Sequence, residues 1–236
     1  MHGRQNMIRN SVLCIVLVVA GWIGAPFSHA EEGETREEAL LASVFPQSCH
    51  FSGKFVQQKT MEGLPVPLTS DGDFFYSCDL GLVWRTVTPF EEAILYVNSS
   101  NNYRINESGE LQPLSGIARY IMSSVFVKLL NGDTDYFLDA FSVSEADGEG
   151  VLLTPESDYM KKGLDRILFE KSNDDELGIT LGIKVTDATG QVTSVNIDQI
   201  KEFDAEGKRD AFEKCESLYP ENEELCRVLR SPTGIR

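Results

Sequence analysis

Hydrophobic and polar positions follow two different periods along this chain, and the change of period marks out its parts. In TREEALLASVF, an acidic start is followed by Leu40, Leu41 and Val44 at helical spacing, which predicts a packed helix. From Cys49 the period becomes two. Cys49, Phe51, Gly53 and Phe55 alternate with His50, Ser52, Lys54 and Val56, as a strand requires. A loop bearing Gly63, Pro65 and Pro67 separates this run from its predicted antiparallel partner, residues 73–78. Pairing about that loop sets Cys49 near Cys78 and places Phe51 and Phe55 on the face of Phe74 and Tyr76.

Further strands are predicted at residues 82–86, 93–97 and 103–105, with Asn, Ser and Gly between them, as in an antiparallel meander. Residues 115–133 interrupt it. There Ser115 is placed to cap a helix whose stripe is Ile117, Tyr120, Ile121, Val125 and Leu129, and Asn131-Gly132 ends it. Strand patterns resume at 136–143, 151–154, 166–170, 179–186 and 191–197, the last after the turn DATG. The fold class that results is mainly β, an α+β arrangement of antiparallel sheet with a few helices.

The C-terminal stretch EGKRDAFEKCESLYPENEELCRVLR is charged and helical, with a break at Pro220. On one straight helix Cys215 and Cys226 would stand roughly 16 Å apart, too far for a disulfide. A bridge between them therefore requires a helical hairpin that turns at Tyr219-Pro220.

The N-terminus changes the frame for all of this. Arg4 and Arg9 precede an apolar run from Val12 to Ile23 and a small-residue site, Ser28-His29-Ala30, which together read as a secretory signal over residues 1–30, cleaved after Ala30. Its removal takes two arginines and no acid, so the net charge falls from −16 to −18. Nucleic acid is then excluded as a partner, because phosphate binding needs a basic footprint. Cys49, Cys78, Cys215 and Cys226 remain, an even count that suggests two disulfides in an oxidising compartment. Catalytic parts are scarce. His50 is the one histidine beyond residue 30, and there is no His cluster for zinc, no C-x-x-C and no G-x-S-x-G. The reading is a non-enzyme without cofactor or metal.

One ordered set of motifs is more specific. CHFSGKFVQQKTMEGLPVPLTSDGDFFY followed by GLVWRTVTPFEEAILYV resembles the periplasmic outer-membrane lipoprotein carrier (LolA-like) family. The family order is F-x-x-x-F-x-Q, then S-x-G-x-F, then a tryptophan and a T-x-P turn. Here these are Phe51, Phe55 and Gln57, then Ser70, Gly72 and Phe74, then Trp84, Thr88 and Pro89. Downstream, VLLTPES and VTDATGQVTSVNI match its later strand and hairpin, so the likeness spans about residues 36–200. Where the carriers proper have a basic residue and a proline ahead of the tryptophan, this chain has Ser77-Cys78-Asp79. The GLPVPLTS and GLVW segments are similar to the branch associated with glycolipid or aryl-polyene export.

The resemblance implies an incomplete, curved antiparallel β-barrel with a helical lid over an apolar cavity, occupying residues 31–203, with residues 204–236 as a separate tail. It implies acyl-chain-bearing cargo, lipoprotein or glycolipid, received from an inner-membrane exporter and passed to an outer-membrane acceptor through the periplasm. Bringing a sixteen-carbon chain into water costs on the order of 12 kcal/mol, so the cavity must be extensively apolar. The candidate lining is Phe51, Phe55, Phe74, Tyr76 and Trp84 from the sheet with Ile117, Ile121 and Val125 from the lid, and the aromatics of residues 74–84 are expected on the concave face. Two other functions fit the same pattern: a periplasmic sensor or adaptor that docks a protein, and a hydrolase with an unrecognised carboxylate pair.

Overall fold

Every strand in the described chain joins a single antiparallel sheet. The computed structural model describes residues 35–97, 102–115, 125–147, 150–174 and 178–232, all in the unit formed by residues 34–236. A first meander comprises β1 (His50–Lys59), β2 (Leu68–Ser77), β3 (Gly81–Thr88), β4 (Glu92–Tyr96), β5 (Asn102–Ile105) and β6 (Leu111–Pro113). A second comprises β7 (Phe141–Glu145), β8 (Gly150–Pro155), β9 (Leu164–Asp174), β10 (Gly178–Asp187) and β11 (Val192–Glu202). The order β6-β5-β4-β3-β2-β1-β11-β10-β9-β8-β7 shows the joint, since β1 pairs with β11 and fuses the two meanders into one open, curved sheet of eleven strands.

Period-two alternation gives this sheet two apolar faces. The inner face carries Phe51, Phe55, Phe74, Tyr76, Leu82 and Trp84 from the first meander with Val151, Ile167, Phe169, Leu181, Val195 and Ile197 from the second. The helices α1 (Arg36–Val44), α2 (Val127–Leu130) and α3 (Thr134–Ala140) pack their buried residues there. A capping box starts α1, with the Glu38 amide bonded to the Thr35 hydroxyl and the Glu38 carboxylate accepting from the Thr35 amide. The outer face carries Phe75, Val83, Ala93 and Leu95, and is covered by α5 (Lys208–Leu218) and α6 (Glu223–Arg230). A short α4 (Asp158–Lys161), capped by Ser157, lies between β8 and β9.

Two glycines let the strands close up. At Gly72 a Cβ would lie 1.9 Å from the Arg85 carbonyl oxygen, so no other residue fits beside β3 at that irregularity of register. At Gly53 a Cβ would meet the Phe74 ring at 2.8 Å, which is how a large ring lies across β1.

The expected strand at 136–143 is corrected: residues Thr134–Ala140 are helical and only Phe141 onward is strand. Asp133 explains it, because its carboxylate accepts from the Tyr136 amide at 3.1 Å and caps a helix in a stretch whose composition favours strand. Packing agrees, since Phe137 and Phe141, one helical turn apart, stack at 5.6 Å and Phe137 meets Phe45 at 5.0 Å. Of the helix expected over 115–133, the described end is α2, closed by Gly132 at φ 62°. The disulfides are Cys49–Cys78, with Cα atoms 5.4 Å apart across β1 and β2, and Cys215–Cys226, 5.8 Å apart across the α5–α6 hairpin.

Candidate lipid-binding site

The inner face is not filled. Between the end of α1 and the sheet lies a cavity of about 340 Å³, within the range of small-molecule sites. Its floor is buried and apolar: Val44 and Phe45 from above, Phe51 and Phe74 from β1 and β2, Leu181 and Ile197 from β10 and β11, and Leu130 at the end of α2. Its open rim is exposed and partly polar, with Gln47, Lys171, Ile179 and Glu202. The Lys171 ammonium donates to the Ser43 carbonyl at 3.1 Å, which fixes it beside the end of α1.

A bulge makes the rim. Ser52 pairs with Lys201 but Lys54 with Asp198, so β11 has one residue more than β1 across this interval. Gln199 absorbs the excess with φ 50°. In a regular strand Ile197 and Ile200 would point to opposite faces. The bulge resets the alternation, bringing Ile197, Ile200 and Glu202 to the cavity while Phe203 turns to the outer face against Phe75.

The sequence-predicted residues divide into three groups. Phe51 and Phe74 line the cavity. Phe55, Tyr76, Trp84 and Val125 share the inner face but are packed as core: Phe55 stacks on Trp84 at 3.8 Å and 18°, and Phe126 meets the same indole edge-on at 4.9 Å. Ile117 and Ile121 lie outside the described residues. The expectation that all the aromatics of 74–84 face inward is corrected for Phe75, which alternation turns to the outer face. Local periodicity carries no signal for Leu181, Ile197 or Ile200 as cavity residues, because the β1–β11 pairing that brings them to Phe51 spans most of the chain.

The lid end of the site is held by polar contacts. The Tyr76 phenol, whose pKa burial pushes up, donates to Asn131 Oδ1 just past α2. The Lys128 ammonium pairs with Asp133, holding that carboxyl below the usual range, and lies 5.5 Å from the Tyr136 ring centre. The first of these joins the end of α2 to β2, and the others lie within the α2–α3 segment.

Elsewhere the chemistry is sparse. His50 Nδ1 is 3.0 Å from Ser77 Oγ and its Nε2 is 3.8 Å from Asp79 Oδ2. Ser77 is nevertheless fully buried and its hydroxyl accepts from the Asp79 amide, so it presents no nucleophile to a substrate. Among the described residues no group of three His, Cys, Asp or Glu gathers as a metal site, and no helix is long and apolar enough to cross a membrane.

An open antiparallel sheet curved around a partly filled apolar face is the frame of a carrier that takes its ligand between sheet and helices. The family model for "Outer membrane lipoprotein carrier protein LolA" matches residues 47–214, and the chain belongs to that family. Among solved structures it is similar to a LolA superfamily protein from Nitrosomonas europaea, at 12% identity and TM-score 0.41, over 72% of this chain and 93% of that one. It is also similar to a DUF1329 family protein from Desulfovibrio piger, at 10% identity and TM-score 0.40, over 70% and 91%. No curated protein matches the chain. The family match ends one residue before Cys215, so both hairpin cysteines lie beyond it.

Proposed function

We propose that this chain is an exported periplasmic carrier, processed after Ala30, that shields acyl chains between an inner-membrane exporter and an outer-membrane acceptor. The observation that carries the reading is the apolar cavity between Phe51 and Phe74 on one side and Leu181 and Ile197 on the other, open at a polar rim, in a member of the LolA family. Acyl chains bind where methylenes leave water for such a lining, each gaining about 0.8 kcal/mol. Release follows when α2 lifts from the sheet, breaking the Tyr76–Asn131 bond. The replacement of the family's basic run by Ser77-Cys78-Asp79 supports cargo of the glycolipid or aryl-polyene kind over housekeeping lipoprotein transport.

The test is mass spectrometry of organic extracts from protein purified out of its own host's periplasm without detergent. A stoichiometric acylated or polyene species is the expected result. Protein that arrives empty and takes up no added lipid would contradict the carrier reading and leave the docking of a protein partner as the function of the fold.

A further inference from the structure

At the end of the sheet away from the Cys49–Cys78 bridge, apolar residues stand in water. Six of the ten exposed large hydrophobic side chains among the described residues belong to two neighbouring connections there: Met61, Leu64, Val66 and Leu68 around the β1–β2 loop, and Val87 and Phe90 at the β3–β4 turn. Val66 is 67% and Phe90 65% exposed. The register brings them together, since the last β2–β3 pair is Asp71 with Thr88, and β1 and β2 run on past it to Lys59 and Leu68. Exposed apolar side chains gathered in this way mark a contact surface. We infer that the two tips form a membrane-contact site, which dips into the interface of a lipid bilayer and holds the protein there reversibly. The site goes beyond the carrier reading and does not depend on what fills the cavity.

The chemistry of the tips favours lipid over a protein partner. Residues 60–70 and 86–90 carry one formal charge, Glu62, in a chain of net charge −16, so this end meets an anionic headgroup layer with little of the repulsion the rest would feel. Asp71 lies at the base of the tip, three residues behind Leu68, and the acids after the turn are occupied, Glu91 by Arg85 and Asn222 and Glu92 by Arg104. Pro65 and Pro67 have no N–H, and the Leu64 amide donates to the Met61 carbonyl at 3.1 Å. The run from Leu64 to Leu68 therefore takes few unpaired donors into an apolar phase, and the same prolines deny a protein partner a strand edge to pair with. Phe90 stands on a braced turn, because Glu91 accepts from Asn222 of the α5–α6 hairpin at 3.2 Å, so its insertion costs little ordering. With no lysine or arginine in either tip, attachment comes from apolar insertion and not from charge.

The experiment is flotation of the signal-cleaved protein with vesicles of phosphatidylcholine, and of phosphatidylethanolamine mixed with phosphatidylglycerol, at low and high salt. The protein should float with both and remain bound in high salt, since salt screens charge and not apolar insertion. Val66→Asp and Phe90→Asp should each lower the partition coefficient about tenfold, whereas Leu218→Asp, exposed on α5 outside the tips, should change it by less than about twofold. Circular dichroism should show all three variants folded as the wild type. Phe90→Trp should be quenched by lipids brominated along the acyl chain, well beyond the wild-type protein, whose Trp84 is buried. Failure to float with either vesicle, flotation that high salt abolishes, or flotation that Val66→Asp and Phe90→Asp leave unchanged would overturn the membrane-contact site. The carrier reading stands or falls separately, on the lipid extracted from the purified protein.

Discussion

Phe74 and Phe75 are neighbours on β2 with opposite fates, and the contrast between them is the contrast between the two faces of the sheet. Phe75 is sealed into the outer face, stacked on Phe203 at 5.5 Å and 17° beneath α5 and α6. That cover is fixed covalently by a fully buried disulfide and further by Arg85, which pairs with Asp73 at 2.6 Å and lies 5.1 Å from the Tyr219 ring centre. Phe74 is just as buried but borders a void, under helices tied to the sheet by side-chain hydrogen bonds, Tyr76 to Asn131 past α2 and Lys171 to the Ser43 carbonyl of α1. The two faces use the same kinds of residue. What distinguishes a finished core from a binding cavity is the cover, stapled on one side and latched on the other.

The comparison can be broken most severely at Gly72, on which both faces depend. Gly72→Ala drives a methyl group into the Arg85 carbonyl, and circular dichroism and expression should show loss of folded protein. Next in size is the phenylalanine pair. Phe75→Ala should cost about 3–5 kcal/mol in denaturant unfolding, whereas Phe74→Ala, whose ring already borders empty space, should cost nearer ~2 kcal/mol and admit longer chains. Equal losses would mean that the cavity is no softer than the outer core.

The covers themselves give the intermediate effects. Removing the staple with Cys215→Ala and Cys226→Ala together should cost about 2–4 kcal/mol and leave fatty-acid affinity unchanged. Loosening the latch with Asn131→Ala should cost only about 1–2 kcal/mol, because it leaves the buried Tyr76 hydroxyl with only the weakly accepting Cys78 sulfur at 3.7 Å, but should speed laurate dissociation several-fold in stopped-flow measurements. The smallest effect is the pH dependence at Asp133. Lys128 lowers its pKa, so the stability it lends is fully present above the ordinary aspartate value and is lost as pH falls through the lowered one. The stability difference between wild type and Asp133→Asn should therefore shrink steadily below about pH 4.

The inner aromatic face was legible in the sequence because it rests on alternation within one hairpin: Phe51, Phe55, Phe74 and Tyr76 need only the period of two and the turn between them. The helical hairpin was legible in part, since the spacing of Cys215 and Cys226 allows the two to bridge only across a turn, while the pairing itself was not fixed by spacing. The cavity itself was not. It depends on the β1–β11 pairing, a contact between distant segments, and on a one-residue bulge at Gln199 that reverses which side chains face inward. The helix at Thr134–Ala140 was hidden for another reason, because a single cap at Asp133 outweighs the strand preference of Tyr136 and Phe137.

The central claim is that the void beside Phe74 is where an acyl chain lies, and Trp84 is placed to report on it. It is the only tryptophan beyond residue 30, and its ring stacks 5.8 Å from that of Phe74. Titrating the protein with dodecanoate brominated at the methyl end, and separately at the carbon next to the carboxylate, should give strong quenching of Trp84 fluorescence by the first and little by the second. Equal quenching by the two probes at saturation, or none by either, would contradict the account.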